Sequence, residues 1–223
     1  MANPEPSLTP AQAIHALTQL EGYEEGLTAR IGGLTSMVFG IAVAGIFVTY
    51  GVASAWGFVQ RHPWVQSFLW VPWILAGTVI TTSLWSLHAI QLRRPDRGWR
   101  ASAYSLMLSL VFTAIALALS FLPVPQIHAG AAFAPLASQL GMFGFMTVVT
   151  GLFTLVMAGM AYGRFMGKPR GAAVPLLGAG LAILVGGFAM GMVALDGLPA
   201  ALLSAGLCGT AYFGAGLVPY LRG

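Results

Sequence analysis

The sequence predicts an all-α integral membrane protein: six transmembrane helices preceded by an N-terminal amphipathic interfacial helix, with both termini cytoplasmic. Three observations predict it. Hydrophobic residues make up 57% of the 223 residues and charged residues only 7%, against roughly 25% charged in an average soluble domain. Six near-continuous apolar stretches each reach the length of about 20 residues that a helical crossing needs. Nine of the ten basic residues fall on one side of the alternating topology that these stretches define, and the positive-inside rule makes that side the cytoplasm.

Residues 1–8 are expected to be a flexible lead, and residues 9–30 a cytoplasmic interfacial helix. Thr9-Pro10-Ala11-Gln12 reads as a capping box with Pro at the first helical position. Ile14, Leu17, Leu20, Tyr23 and Leu27 then recur at helical spacing. Helices that lie on lipid usually carry Lys and Arg, whereas this one carries Glu21, Glu24 and Glu25, so a basic protein surface is its better neighbour. The acidic lead is unlike the basic start of a signal peptide, and the N-terminus is expected to be kept.

Residues 31–223 form the six-span domain, with spans at Gly32 to Trp56, Leu69 to Gln91, Ala101 to Leu122, Leu140 to Tyr162, Ala173 to Leu195 and Pro199 to Leu221. Arg30, Arg93, Arg94, Arg97, Arg100, Arg164, Lys168, Arg170 and Arg222 share the cytoplasmic side, and Arg61 lies opposite. Trp56, Trp64, Trp70 and Trp73 cluster at the outer interface, where amphipathic rings favour the headgroup layer. The prolines lie near span ends or in loops, unlike the interrupted helices of many secondary transporters. Residues 121–139 are the one long loop, uncharged, with a re-entrant or interfacial piece expected in it.

Polar residues inside the spans are the candidates for function. Ser102, Ser105, Ser109, Thr113 and Ser120 form one stripe along span three, Thr78, Thr81 and His88 a face of span two, and Thr147, Thr150 and Thr154 a face of span four. Each stripe reads either as a helix seam bonded by hydroxyls or as the lining of a polar pathway, with the seam favoured. His88 is the ionisable side chain inside a span and so a functional candidate, although its closeness to the cytoplasmic boundary favours interfacial packing over a dedicated role. Gly178, Ala182, Gly186, Gly187 and Gly191 in span five, and Ala205 and Gly209 in span six, are expected at close helix contacts. Arg93, Arg94, Arg97 and Arg100 are expected to meet a protein partner.

No catalysis, metal or cofactor is expected. The single cysteine, Cys208, excludes a zinc cluster built from cysteines of this chain, and there is no H-E-x-x-H, no phosphate-binding loop and no intramembrane carboxylate pair. Glu24-Glu25 followed by Arg30 superficially resembles the paired glutamates of intramembrane CAAX proteases, but the arginine falls one residue late and the motif precedes the first span. Basic residues scattered between apolar segments make no nucleic-acid face.

An interfacial helix, six spans and basic cytoplasmic loops, with no energy-coupling residue, look like the layout of type-2 ATP-binding-cassette exporter permeases. That resemblance implies a permease-like subunit energised by a partner, including a cytoplasmic ATPase, with the loop between spans two and three at the contact. The short connection between spans five and six departs from the pattern. The other readings are a structural or assembly subunit of a larger complex, a homo-oligomer among them, and a small uncoupled channel. The plasma membrane is the expected location, with membrane lipid around the spans.

Overall fold

A computed structural model describes residues 9–62, 65, 68–91, 107, 110, 128–164 and 173–222. The described chain is all helix apart from turns, with α1 over Pro10–Ala55, α2 over Phe58–Arg61, α3 over Val71–Gln91, α4 over His128–Arg164, α5 over Ala173–Met192 and α6 over Gly197–Arg222. Among the described residues, four helices are long and apolar enough to cross a membrane: α1, the Gln139–Gly159 part of α4, α5 and α6. α3 has the length, at 21 residues, and carries Thr78, Thr81, Thr82, Ser83, Ser86 and His88 among its apolar residues. The third expected span lies outside the described residues except for Met107 and Leu110, which are helical and exposed.

The capping box forms as the sequence requires. Gln12 N donates to Thr9 Oγ1 at 3.4 Å and Thr9 N donates to Gln12 Oε1 at 3.0 Å, so two of the free amides at the helix start are satisfied reciprocally. The boundary expected near residue 30 is not a helix boundary: α1 runs unbroken for 46 residues. At 1.5 Å per residue it is about 69 Å long, more than twice the ~30 Å of a bilayer's hydrocarbon core. The backbone ladder needs no change where the surroundings change from water to lipid, so a shift in composition alone does not end a helix. α1 ends at Trp56, where Arg61 donates from Nε to the Gly57 carbonyl at 3.1 Å and from Nη2 to the Trp56 carbonyl at 2.9 Å. A cation on terminal carbonyls complements the helix dipole, which gives the one basic residue expected on the outer side a local task.

Two further punctuation points shape the chain. The stretch expected as a loop over residues 121–139 is helical from His128, and α4 breaks at Gly141, whose φ of 68° and ψ of 166° suit glycine. After α5, Leu195 N bonds the Met190 carbonyl at 3.1 Å and Ala194 N the Gly191 carbonyl at 3.0 Å, the paired bonds of a Schellman motif. Its left-handed residue is Ala194, φ 48°, where glycine is the usual occupant.

Lipid tails are as apolar as leucine, so spans are held together by close packing and hydrogen bonds rather than by the hydrophobic effect. The interior is accordingly small: Ala200, Ala201, Ser204, Ala205 and Cys208 of α6 are buried, while Phe153 and Val185 are 60% and 64% exposed. Two antiparallel seams dominate. In the first, α1 lies on α6, and a Cβ at Gly33 would strike the Gly216 carbonyl oxygen just as one at Gly216 would strike that of Gly33. Farther along, Gly40 faces Tyr212 and the Gly209 carbonyl, and Gly51 faces Ala201. From Gly33 to Gly51 the seam covers about 27 Å of helix, close to one hydrocarbon thickness. In the second, α4 lies on α5, where a Cβ at Gly151 would come within 2.7 Å of the Leu184 backbone nitrogen and one at Gly187 within 2.8 Å of that of Val148. Phe47, Tyr50, Phe143, Ile183 and Tyr212 join both seams in one core.

These pairings set the directions. The end of the bundle that holds the start of α1 also holds the last turns of α3, α4 and α6. Arg30 and Arg222 therefore lie at one end and Arg61 at the other.

Candidate functional site

The expected hydroxyl face of α4 is brought onto α6. Thr147 Oγ1 lies 2.7 Å from the Phe143 carbonyl oxygen and 2.8 Å from Ser204 Oγ, whose proton points to Met190 Sδ at 3.6 Å. Two turns on, Thr154 Oγ1 donates to the Thr150 carbonyl at 2.7 Å, so Tyr212 donates its phenolic proton to Thr154 Oγ1 at 2.5 Å. Thr150 donates to the Met146 carbonyl at 2.8 Å. Thr147 and Ser204 are 0% exposed and Thr154 is 1% exposed. Each hydroxyl proton has an acceptor within the bundle, which is the chemistry of a dry seam.

The face expected on span two meets α1. Trp73 Nε1 donates to Thr49 Oγ1 at 3.0 Å and its ring covers Gly45. At the opposite end His88 Nε2 is 3.2 Å from Thr28 Oγ1, and Thr28 Oγ1 donates to the Glu24 carbonyl at 2.7 Å. Thr78, Thr81 and His88 are buried, and Thr81 donates to the Thr78 carbonyl at 3.1 Å. The Trp85 ring stands edge-on to His88, 5.5 Å between centroids. His88 lies in the last turn of α3, and its partner on α1 depends on tertiary packing that no spacing reveals.

The expected packing residues divide. Gly187 and Gly191 meet α4, Gly186 meets Leu207, Gly209 faces Ala44, and Ala205 is buried. A Cβ at Gly178 would meet nothing within 4 Å, and Ala182 is exposed, so neither joins a seam among the described residues. Ser102, Ser105, Ser109, Thr113 and Ser120, together with Arg93, Arg94, Arg97 and Arg100, lie outside the described residues.

Two exposed features complete the candidates. Residues 10–30 of α1 extend beyond the seams as an arm, with Ile14, Leu17, Leu20 and Tyr23 exposed and Glu21, Glu24 and Glu25 its charged residues up to Arg30. A groove of about 450 Å³ runs along the α1–α6 seam, lined by Gly40, Ile41, Gly206, Gly209, Thr210 and Phe213. The Thr210 hydroxyl donates to the Gly206 carbonyl at 2.7 Å, so the lining is apolar in effect. No cluster of three metal-ligating side chains occurs among the described residues. Comparison with known proteins finds no matching family model, no matching characterised protein and no matching solved structure.

Proposed function

We propose that the chain is a non-catalytic, multi-pass membrane subunit, the permease-like component of a transport system energised by a partner protein, and that the arm of α1 is where the partner acts. The observation that carries this reading is the continuity of α1. One helix holds both the exposed acidic arm and the glycine seam on α6, so displacement of the arm is passed directly to the α1–α6 contact. About 32 Å of helix projects beyond the seams, at 1.5 Å for each of residues 10–30. Exposed Ile14, Leu17, Leu20 and Tyr23 beside three carboxylates favour a partner surface that is apolar with a basic rim.

In this reading the arm is cytoplasmic in a plasma membrane, six spans are completed by residues 101–122, and the basic segment with Arg93, Arg94, Arg97 and Arg100 is the second partner contact. A cytoplasmic ATPase is the partner class that supplies the energy the chain's own residues do not. The test reverses charge at Glu21, Glu24 and Glu25, and separately at Arg94 and Arg97. Loss of partner association and of ATP-driven transport, with the bundle still folded, supports the reading; unchanged association and transport refute it.

A second reading, a structural subunit of a larger membrane assembly, is favoured by one observation. Gly206 and Gly214 lie one turn either side of Thr210 on α6, and a Cβ at either glycine would meet nothing within 4 Å. Such a face admits close approach of another membrane helix. A small channel is the least favoured, because the α4 hydroxyls are spent inside a seam.

A further inference from the structure

The direction of the His88–Thr28 bond is decided by the next link in the chain. Thr28 has one hydroxyl proton, and the Glu24 carbonyl oxygen at 2.7 Å has none to give. The proton goes to that carbonyl, so Thr28 Oγ1 is the acceptor toward His88 Nε2 at 3.2 Å. Nε2 therefore carries the imidazole hydrogen, and in the neutral ring Nδ1 is then a bare lone pair. That nitrogen is buried, in a side chain 6% exposed, and has no hydrogen-bond partner among the described residues. A buried acceptor without a donor costs free energy, and His88 lies in the last turn of α3, at the end of the bundle that holds the start of α1.

We propose that His88 Nδ1 is a proton-binding site, and that proton uptake there latches the base of the α1 arm to the end of α3. A proton passes from water to the Nδ1 lone pair, an N–H bond forms, and the imidazolium keeps its Nε2–H bond to Thr28. The positive charge develops beside α1, the described helix packed on α3. The charged groups near this stretch of α1 are Glu21, Glu24, Glu25 and Arg30, and α3 contributes none besides His88 itself. Burial of the ring works against the imidazolium charge, and Glu24, one helical turn before Thr28 on the same face of α1, is the carboxylate placed to favour it. Attraction between the two holds the arm against α3 when the proton is bound. The site stands whether or not a partner engages the arm.

The test uses the full chain in zwitterionic nanodiscs with 15N-labelled histidine, the His88 signals being identified by their loss in His88→Gln. At about pH 8 the expected spectrum is that of the Nε2–H tautomer, converting to imidazolium as the pH falls toward about 5. Trp85 reports the same event: its emission, taken as the difference between the native chain and Trp85→Phe, falls along the same curve as the adjacent ring becomes charged. Glu24→Gln moves that curve to lower pH by roughly half a pH unit or more. An Nδ1–H tautomer, a spectrum unchanged down to about pH 5, or a curve indifferent to Glu24→Gln overturns the proposal.

Discussion

Replacing Gly33 or Gly216 by alanine tests the seam on which α1 is held. In each case the added methyl falls on the other helix's carbonyl oxygen, and next to backbone nitrogen as well, Tyr220 N at 3.0 Å for Gly33 and Met37 N at 3.1 Å for Gly216. These are backbone atoms, so no rotamer change relieves the clash and the helices must part. Overpacking of this kind costs about 1–3 kcal/mol, against which alanine's helix preference returns at most ~1 kcal/mol. A clash between backbones that no rotamer relieves belongs at the upper end, about 2–3 kcal/mol, and the net loss of about 1–2 kcal/mol lowers the melting midpoint by roughly 2–8 °C for a chain of this size. Cys208, the one cysteine and fully buried, supplies the assay: a fluorogenic maleimide reacts with it only as α6 leaves the bundle. Gly214→Ala is the control on the same helix, where a Cβ meets nothing within 4 Å, and its midpoint is expected to stay level or rise. The double variant Gly33→Ala with Gly216→Ala should cost less than the sum of the two, because both disturb one contact. Equal midpoints for the seam and control variants would mean that the α1–α6 contact is not closed by these glycines.

Ala194→Gly relieves the left-handed residue after α5 and is expected to stabilise the fold by about 1 kcal/mol, read as a higher Cys208 reaction midpoint. Tyr212→Phe removes the donor to Thr154 and is expected to cost about 0.6 kcal/mol, the mean for such bonds in membranes; a loss several times larger would show the hydroxyls acting as a coupled network. Ser109→Cys is expected to resist a water-soluble thiol reagent in intact membranes, in a Cys208→Ala background, because the stripe on residues 102–120 is read as a dry seam; rapid labelling would favour the channel reading.

The parts of this fold that are local were legible in the sequence. Thr9 and Gln12 lie within one turn of each other, so their reciprocal cap could be read directly. The apolar stretches likewise gave the cores of α1, α4, α5 and α6. The continuity of α1 was not legible, because the change from Glu-rich to apolar composition near residue 30 looks like a boundary although no hydrogen bond is interrupted there. Gly187 and Gly191 stood out as a four-residue pair, but Gly33, Gly40 and Gly51 are spaced by seven and eleven residues and acquire meaning only against Gly216, Gly209 and Ala201 on a helix far away in sequence. The same holds for the hydroxyls: the Thr147, Thr150 and Thr154 face was visible, whereas its partners Ser204 and Tyr212 were set by how α4 meets α6. His88 could be flagged by its chemistry, and its tautomer only by the Thr28–Glu24 link that packing supplies.

Whether a protein partner works through the arm of α1 is answered by placing a photo-crosslinking residue at Leu17 and isolating the protein from its native membrane in mild detergent. Mass spectrometry then identifies what is joined to the arm. One protein in stoichiometric amount is the expected result, with an ATPase supporting the transport reading and a set of other membrane subunits the assembly reading. An arm that crosslinks only to lipid, or only to a second copy of the same chain, contradicts a partner acting there.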